Sequence, residues 1–327
     1  MGLVLIDTLK RKVVQNMNTK VIFVGNYKGG VGKTTSVLNI AIGFSKKGKK
    51  VLVVDLDPQS SLSEILVPNM KKEIDTMRQL SDLPDKKTLN YVLELYIKKI
   101  QKHCSLDLPF IDAICEYNKI DASFDFIANS LFYRGGQESK NHDSTIGLDD
   151  IVLQMENDIE YLQILQQYIK EVLKNKKKYD YVIIDCPPTN NLLTKSAFLM
   201  SDYYIIPTIL DGMSTKGVEH YIATVKKTYH DYCEESEDKL LYRHYFGEMA
   251  QLVGIFYTLT KGTVKYDQEE RKIQEIMKDY GDVNLGICIP NLVDVGRETQ
   301  QGNSTKASPQ YGELCEKILD KIERGQS

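Results

Sequence analysis

The sequence has no apolar run approaching the about 18–20 residues that a membrane-spanning helix needs. Its opening apolar stretch, MGLVLID, is too short for the hydrophobic region of a secretory signal. Position 6 is Ile6 rather than Ser or Thr, so no N-terminal myristoylation signal is expected. C-x-x-C pairs are also missing. Cys104, Cys115, Cys186, Cys233, Cys288 and Cys315 stand singly, without zinc-type spacing to histidine. Scattered thiols fit a reducing cytosol, and each is expected to be a small buried hydrophobe. An excess of either charge sign is missing too: 42 Lys and Arg against 45 Asp and Glu leave a net −3. That balance demands no nucleic-acid partner, although a local basic face remains compatible with it. Repeats of 20–50 residues are likewise missing, and no Gly/Ser/Pro-rich linker flanks residues 62–123.

The chain has 327 residues, of which 42% are hydrophobic and 27% charged, enough for a large core without disulfide staples. Short apolar runs rich in β-branched residues recur at 20–25, 51–55, 124–128, 181–185, 203–207, 252–258 and 285–289. Such continuous runs suit strands buried on both faces. Helix-length segments lie between most of them, among them 33–47, 150–175, 214–234, 263–280 and 309–324. This alternation predicts an α/β fold with a doubly wound, mostly parallel sheet flanked by helices. Residues 1–19 read as an N-terminal appendage, with Met17 as an alternative start, and 20–327 as one domain.

Residues 62–123 interrupt the rhythm and read as a mostly helical insertion. Within it Leu89, Val92, Leu93, Tyr96, Ile97 and Ile100 fall on one helical face. The glycine-containing, apolar-poor stretch 133–147 is the expected disordered loop.

Chemistry concentrates in NYKGGVGKTT, residues 26–35, which follows a predicted strand and opens a predicted helix. Gly29, Gly30 and Gly32 allow the backbone to turn its N–H groups onto phosphate oxygens, with Val31 between them. The following helix adds its positive end. Lys33 is placed to reach the β- and γ-phosphates, and the Thr34 hydroxyl, next to Thr35, to ligate Mg²⁺. Two departures from G-x-x-x-x-G-K-[ST] stand out: Tyr27 replaces the first glycine, and a second lysine, Lys28, follows it. Asp185 ends YVIID, and Asp55 and Asp57 lie in VVDLDPQ. Strand C-termini are where open α/β sheets hold ligands. One aspartate there is an ordinary cap; three with the loop point to a metal–nucleotide site.

YKGGVGKTT resembles the deviant Walker A motif, K-G-G-x-G-K-[ST], of the ParA/MinD ATPases, whose first loop position is not restricted to glycine. VLVVDLDPQSS is similar to that family's D-x-D-P-Q motif and YVIIDCPP to its Walker B strand. TLNYVLEL, FDFIANSLF, IIPTILDGMSTKGV, VGIFYTLTKGT and LGICIPN extend the resemblance over about residues 18–324. The chain looks most like the short ParA-type (Soj-like) partition ATPases, which lack an N-terminal helix-turn-helix domain.

The resemblance implies a P-loop NTPase-like fold, ATP and Mg²⁺ as cofactors, and hydrolysis to ADP and phosphate. Lys33 becomes the phosphate-loop lysine, and Thr34 the metal ligand, supported by Asp55 and Asp185. Asp57 orients or activates water, and Lys28 crosses to a partner's nucleotide in an ATP-bound homodimer. Pro290 and Asn291 fall at the adenine side. After them NLVDVGRETQQG departs from the family pattern, with Arg297 where glutamate is common.

Partition members are cytoplasmic and nucleoid-associated. They bind DNA non-specifically and respond to a ParB-like centromere-binding protein. MinD-like members instead reach membranes through an amphipathic C-terminal tail. Here the C-terminal stripe Leu314, Ile318 and Ile322 is flanked by both charge signs and reads as a helix packed on the sheet. Lys226 and Lys227, Lys261 and Lys265, and Arg271 and Lys272 are candidate phosphate contacts, and equally solvated helix faces. A nitrogenase-type reductase would need a second cysteine in a context like that of Cys186, and none is found.

Overall fold

The structure is a computed structural model. It describes residues 19–70, 79–105, 107–119, 121–135, 145–176, 179–260, 271, 273–275, 278–281, 283–291, 298–303 and 308–325. Eight strands form one sheet: β1 Lys20–Val24, β2 Val51–Asp55, β3 Ile114–Lys119, β4 Ala122–Ile127, β5 Tyr181–Asp185, β6 Tyr203–Ile209, β7 Gln251–Thr260 and β8 Asn284–Pro290. Their order is β3-β4-β2-β5-β1-β6-β7-β8, with every pair parallel except β3–β4. From β1 the chain moves outward to β2, β3 and β4, then returns through β5 and continues on the opposite side. The C-terminal ends of β1, β2 and β5 therefore meet where the winding reverses, the location at which open α/β sheets bind ligands.

Among the described residues the helices around the sheet include α1 Lys33–Lys46, α2 Ser61–Leu66, α3 Leu89–Gln101, α4 Ile164–Asn175, α5 Leu192–Met200, α6 Gly212–Tyr229, α7 Lys239–Phe246 and α8 Ser308–Arg324. Alternation along each central strand feeds two cores. Val21, Phe23, Leu52, Val54, Val182 and Ile184 face α3, α4, α5 and α6. Ile22, Val24, Val51, Val53 and Ile183 face α1 and α8. Leu314, Ile318 and Ile322 are 0%, 0% and 1% exposed, so the apolar stripe of α8 is spent on the second core rather than left for a membrane. No helix among the described residues is long and apolar enough to cross a membrane.

Three details differ from the sequence reading. The expected helical insertion also supplies β3, an antiparallel edge strand paired from Ile114↔Ile127 to Lys119↔Ala122. The helix expected over 150–175 is broken, because Asp158 caps a short turn, accepting from the Glu160 N–H at 2.9 Å, before α4 begins. Cys104 and Cys288 are exposed, whereas Cys115, Cys186, Cys233 and Cys315 are buried as expected.

The appendage lies outside the described residues except at Thr19, whose hydroxyl donates to Tyr179 O at 2.6 Å. The loop 133–147 is described only at its ends, where Ile146 N donates to Tyr133 O at 2.7 Å. Most of the helix expected over 263–280 is likewise outside.

Candidate nucleotide site

β1 runs straight into the glycine loop, and the loop ends in α1. Gly30 and Gly32 have φ of 71° and 75°, the left-handed region where a side chain is strained. Gly32 is the N-cap of α1 and supplies no side-chain cap, so the first-turn N–H groups are left to a ligand. The loop is braced from β7, where the Thr258 hydroxyl donates to Val31 O at 2.8 Å. Gly29 and Gly30 are exposed, Thr34 and Thr35 half-buried.

Lys33 is 7% exposed, and its ammonium donates to Lys28 O at 3.1 Å. Burial pulls this ammonium below its ordinary range, opposed by the charges of Asp185 and Asp57. A buried lysine held by a carbonyl of its own loop is preorganised to exchange that weak acceptor for an anion.

Asp55 and Asp185 are register partners on β2 and β5, so their side chains leave the sheet edge side by side. Asp55 is fully engaged by the protein. Its Oδ2 accepts from Ser63 N at 2.9 Å and Ser63 Oγ at 2.7 Å, and its Oδ1 from Asp57 N at 3.1 Å. Burial nevertheless pushes its carboxyl up to about 7, against those hydrogen bonds. Asp185 differs. It is 0% exposed, and neither carboxylate oxygen has a well-formed hydrogen bond within the protein; the Thr34 hydroxyl only approaches them. Burial, and the Asp55 charge beside it, push its carboxyl well above the carboxylate range, while the nearby Thr34 hydroxyl and Lys33 pull it down. A buried carboxylate so poorly paired is costly unless something else satisfies it. Thr34 and Asp185 thus fit hydrated Mg²⁺, which keeps several waters and takes few protein ligands. Among the described residues no cluster of three His, Cys, Asp or Glu side chains offers a dedicated metal cage.

Asp57 follows Asp55 in the β2 loop. Its Oδ1 accepts from Gln59 N at 3.0 Å, and its carbonyl accepts from Ser60 N at 2.8 Å and Asn129 Nδ2 at 2.6 Å. Ser60 carries a φ of 53°, which turns the chain sharply into α2.

Lys28 lies at the other side of the loop. Its ammonium donates to Asp211 and, at 3.1 Å, to Ser214 Oγ, both at the start of α6. Burial works to raise the Asp211 carboxyl, but hydrogen bonds from Lys28 and Ser214 outweigh it and hold it below the ordinary carboxylate range. Asn26 sets the geometry: its amide donates to Pro207 O at 2.9 Å, and its Oδ1 accepts from Lys28 N at 3.0 Å. Asn26, Asp211, Ser214, Ser63 and Asn129 were not singled out from the sequence. The D-G-M-S run at 211–214 carried a capping signal, and Asp211 Oδ1 does accept from Ser214 N at 2.7 Å.

Gly25 follows β1, and a Cβ there would stand 1.8 Å from the Tyr221 hydroxyl oxygen. Gly25→Ala should therefore lower stability by about 1–3 kcal/mol through overpacking. Adding Tyr221→Phe should recover part of the loss. Thermal unfolding checks both, and an unchanged Gly25→Ala melting point would contradict the close approach.

The remaining predicted residues are placed less tellingly. Pro290 ends β8, and Asn291 N donates to Thr260 O at 2.8 Å, leaving the Asn291 side chain exposed. Arg297, Lys261, Lys265 and Lys272 are outside the described residues. Lys226 sits 4.3 Å from the Tyr280 ring centre, and Lys227 pairs with Asp231 at 3.0 Å. Arg271 is exposed.

A family model described as an AAA domain matches residues 19–132 and 135–237. The chromosome-partitioning ATPase Soj of Treponema pallidum is 26% identical over 291 residues, covering 88% of each chain. The chain belongs to the ParA/MinD family of P-loop ATPases. An uncharacterised Mycobacterium tuberculosis protein is 33% identical over 212 residues, 64% of this chain and 52% of the relative. This ParA/MinD-family chain thus spans about half the length of that relative. Among solved structures, pNOB8 ParA bound to nonspecific DNA has a TM-score of 0.60 at 18% identity, covering 94% of this chain and 99% of that one. Cobyrinic acid a,c-diamide synthase of Mycobacterium smegmatis, with ATP analogue and magnesium, reaches 0.58 at 20% identity, covering 94% and 97%. These two structures carry unrelated names, so the likeness shows the shared ParA/MinD fold and nothing finer.

Proposed function

We propose that the protein is a ParA-type switch that hydrolyses ATP to ADP and phosphate. In this reading it pairs with a second copy of itself over ATP, binds DNA non-specifically in that state, and answers to a centromere-binding protein. The observation that carries the reading is the Lys33 ammonium, buried beside a poorly paired Asp185 and held by Lys28 O inside an intact glycine loop. The ParA relative bound to nonspecific DNA and the partition ATPase of Treponema pallidum support the choice of cargo.

The phosphates of ATP would take the Lys33 ammonium from Lys28 O and the first-turn N–H groups of α1. Thr34 and Asp185 would hold Mg²⁺, which would supply charge neutralisation to the phosphates. Asp55 holds the β2 loop and the start of α2 in register through Ser63 and Asp57 N–H. Asp57 then orients the attacking water, its backbone fixed by Asn129 and Ser60. Lys28 exchanges Asp211 and Ser214 for the nucleotide of the second copy, adding positive charge where the transition state is most negative. ATP becomes the differential ligand of two association states. The buried α8 stripe weighs against a membrane-surface tail built from that helix.

The test is retention on random-sequence duplex DNA. ATP should retain the protein and ADP should not. Retention should fall steeply between about 50 and 200 mM salt as phosphate contacts are screened. Equal retention in ADP, or ATP-dependent retention on anionic liposomes instead of DNA, would contradict the DNA-partition reading.

A further inference from the structure

Tyr27 stands where an ordinary phosphate loop has glycine, and it does not point idly into solvent. Its ring meets Tyr221 edge-on, centres 4.9 Å apart at 78°, and His220 at 5.4 Å. The Thr224 side chain is hydrogen-bonded to its hydroxyl. Residues 220, 221 and 224 share one face of α6 over little more than a turn. The next residue, Lys28, holds the start of the same helix through Asp211 and Ser214. Two successive loop residues therefore grip α6 at its start and its middle. A one-point contact would leave the loop free to pivot about the helix, and a two-point contact does not.

The grip has little slack. Tyr221 is 0% exposed, its hydroxyl has no partner, and it presses on the Gly25 backbone, where even a methyl group would collide. From Tyr221 the aromatic contacts continue to Phe198 of α5 at 5.7 Å, and from there to Phe23 of β1 at 4.9 Å. The loop end of the grip lies next to the candidate phosphate-binding lysine. The Lys28 carbonyl accepts from Lys33, so a phosphate that took that ammonium would remove one tether of the 27–28 segment.

We infer that Tyr27 is a positioning residue that locks the phosphate loop to α6, so that exchange of ligand at Lys33 displaces α6. The inference rests on the nucleotide reading proposed above. It assigns a role to the position where the loop departs from glycine. Tyr27 acts through the helix and through the aim of Lys28, without touching phosphate. Thr224, at the far side of the contact, also lines a cavity of about 580 Å³ with Asn190, Lys195 and Lys227. Displacement of α6 reshapes that wall.

Amide hydrogen exchange over α6, with ADP and with a non-hydrolysable ATP analogue, tests this beside a direct titration of each nucleotide. In the unsubstituted protein exchange over α6 should differ between the two nucleotides. Tyr27→Ala should abolish the difference and lower kcat about tenfold, as misplacement of a charged group does. Nucleotide affinity should stay within about threefold, since the residue touches no phosphate. Tyr27→Phe keeps the ring contacts and should retain the difference. If Tyr27→Ala fails to fold, His220→Ala with Thr224→Val removes the same contact from the helix side and should lose the difference too. A difference that survives in either variant, or Tyr27→Phe behaving like Tyr27→Ala, overturns the inference. ATP binding without any response in α6 of the unsubstituted protein overturns it while leaving the nucleotide site standing. Failure to bind ATP at all overturns both.

Discussion

Lys28→Gln is expected to lower ATP turnover by about 10²–10³, the usual loss when one charged donor to a developing oxyanion is removed. ADP binding should be nearly unchanged, because in this reading Lys33, the glycine loop and the start of α1 would make the phosphate contacts within one chain. The structure explains why the loss should fall on turnover rather than on the fold. In the single chain the Lys28 ammonium is half-buried and bonded to Asp211 and Ser214, an ion pair with side-chain exposures of 34% and 39%. A pair this open contributes about 0–1 kcal/mol after solvent screening. Gln can keep part of the hydrogen bonding and loses the charge. Stability should move little while self-association and hydrolysis drop together. Turnover assays and nucleotide titration on the same preparation check this. Full turnover in Lys28→Gln would remove the lysine from the mechanism.

Asp57→Ala is expected to bind ATP and associate, yet hydrolyse about 10²–10⁴-fold more slowly, the span for losing a group that handles the proton of the nucleophile. Folding should survive the change, because the β2 loop is held mainly by its backbone. Asp57 N donates to Asp55, and its carbonyl accepts from Ser60 and from Asn129 at 2.6 Å. Among the described residues the side-chain hydrogen bond given up is that from Gln59 N, worth about 0.5–1.5 kcal/mol. Accumulation of an ATP-bound pair should therefore be visible by size. Normal turnover in this variant would refute the role of Asp57.

Much of the sheet was legible because parallel strands buried on both faces announce themselves as β-branched runs, as in VLVVD and YVIID. The glycine loop was legible because phosphate binding needs special backbone geometry, and the residues that permit it are few. β3 was not, because ICEYNK is a half-exposed antiparallel edge strand that alternates polar with apolar inside a helix-rich insertion. The pairing of Asp55 with Asp185 was hidden as well. Register between β2 and β5 is set by packing across 130 residues of chain and not by either strand alone. The sequence offered three equivalent carboxylates, and burial and hydrogen bonding separate them. Asp55 is spent on Ser63 and Asp57 N–H, Asp185 has only the nearby Thr34 hydroxyl and Lys33 beside it, and Asp57 is held by its backbone. Lys28 was readable as an extra cation, but Asp211 lies 183 residues away, so the holding contact appears only in the fold.

The central claim is that ATP joins two copies through Lys28. Sedimentation velocity of the protein with a non-hydrolysable ATP analogue and with ADP, beside Lys28→Gln, addresses it most directly. The prediction is a species of twice the chain mass with the ATP analogue, a single-chain species with ADP, and no nucleotide-dependent change in Lys28→Gln. The same mass with both nucleotides, or full pairing of Lys28→Gln with the ATP analogue, would contradict it.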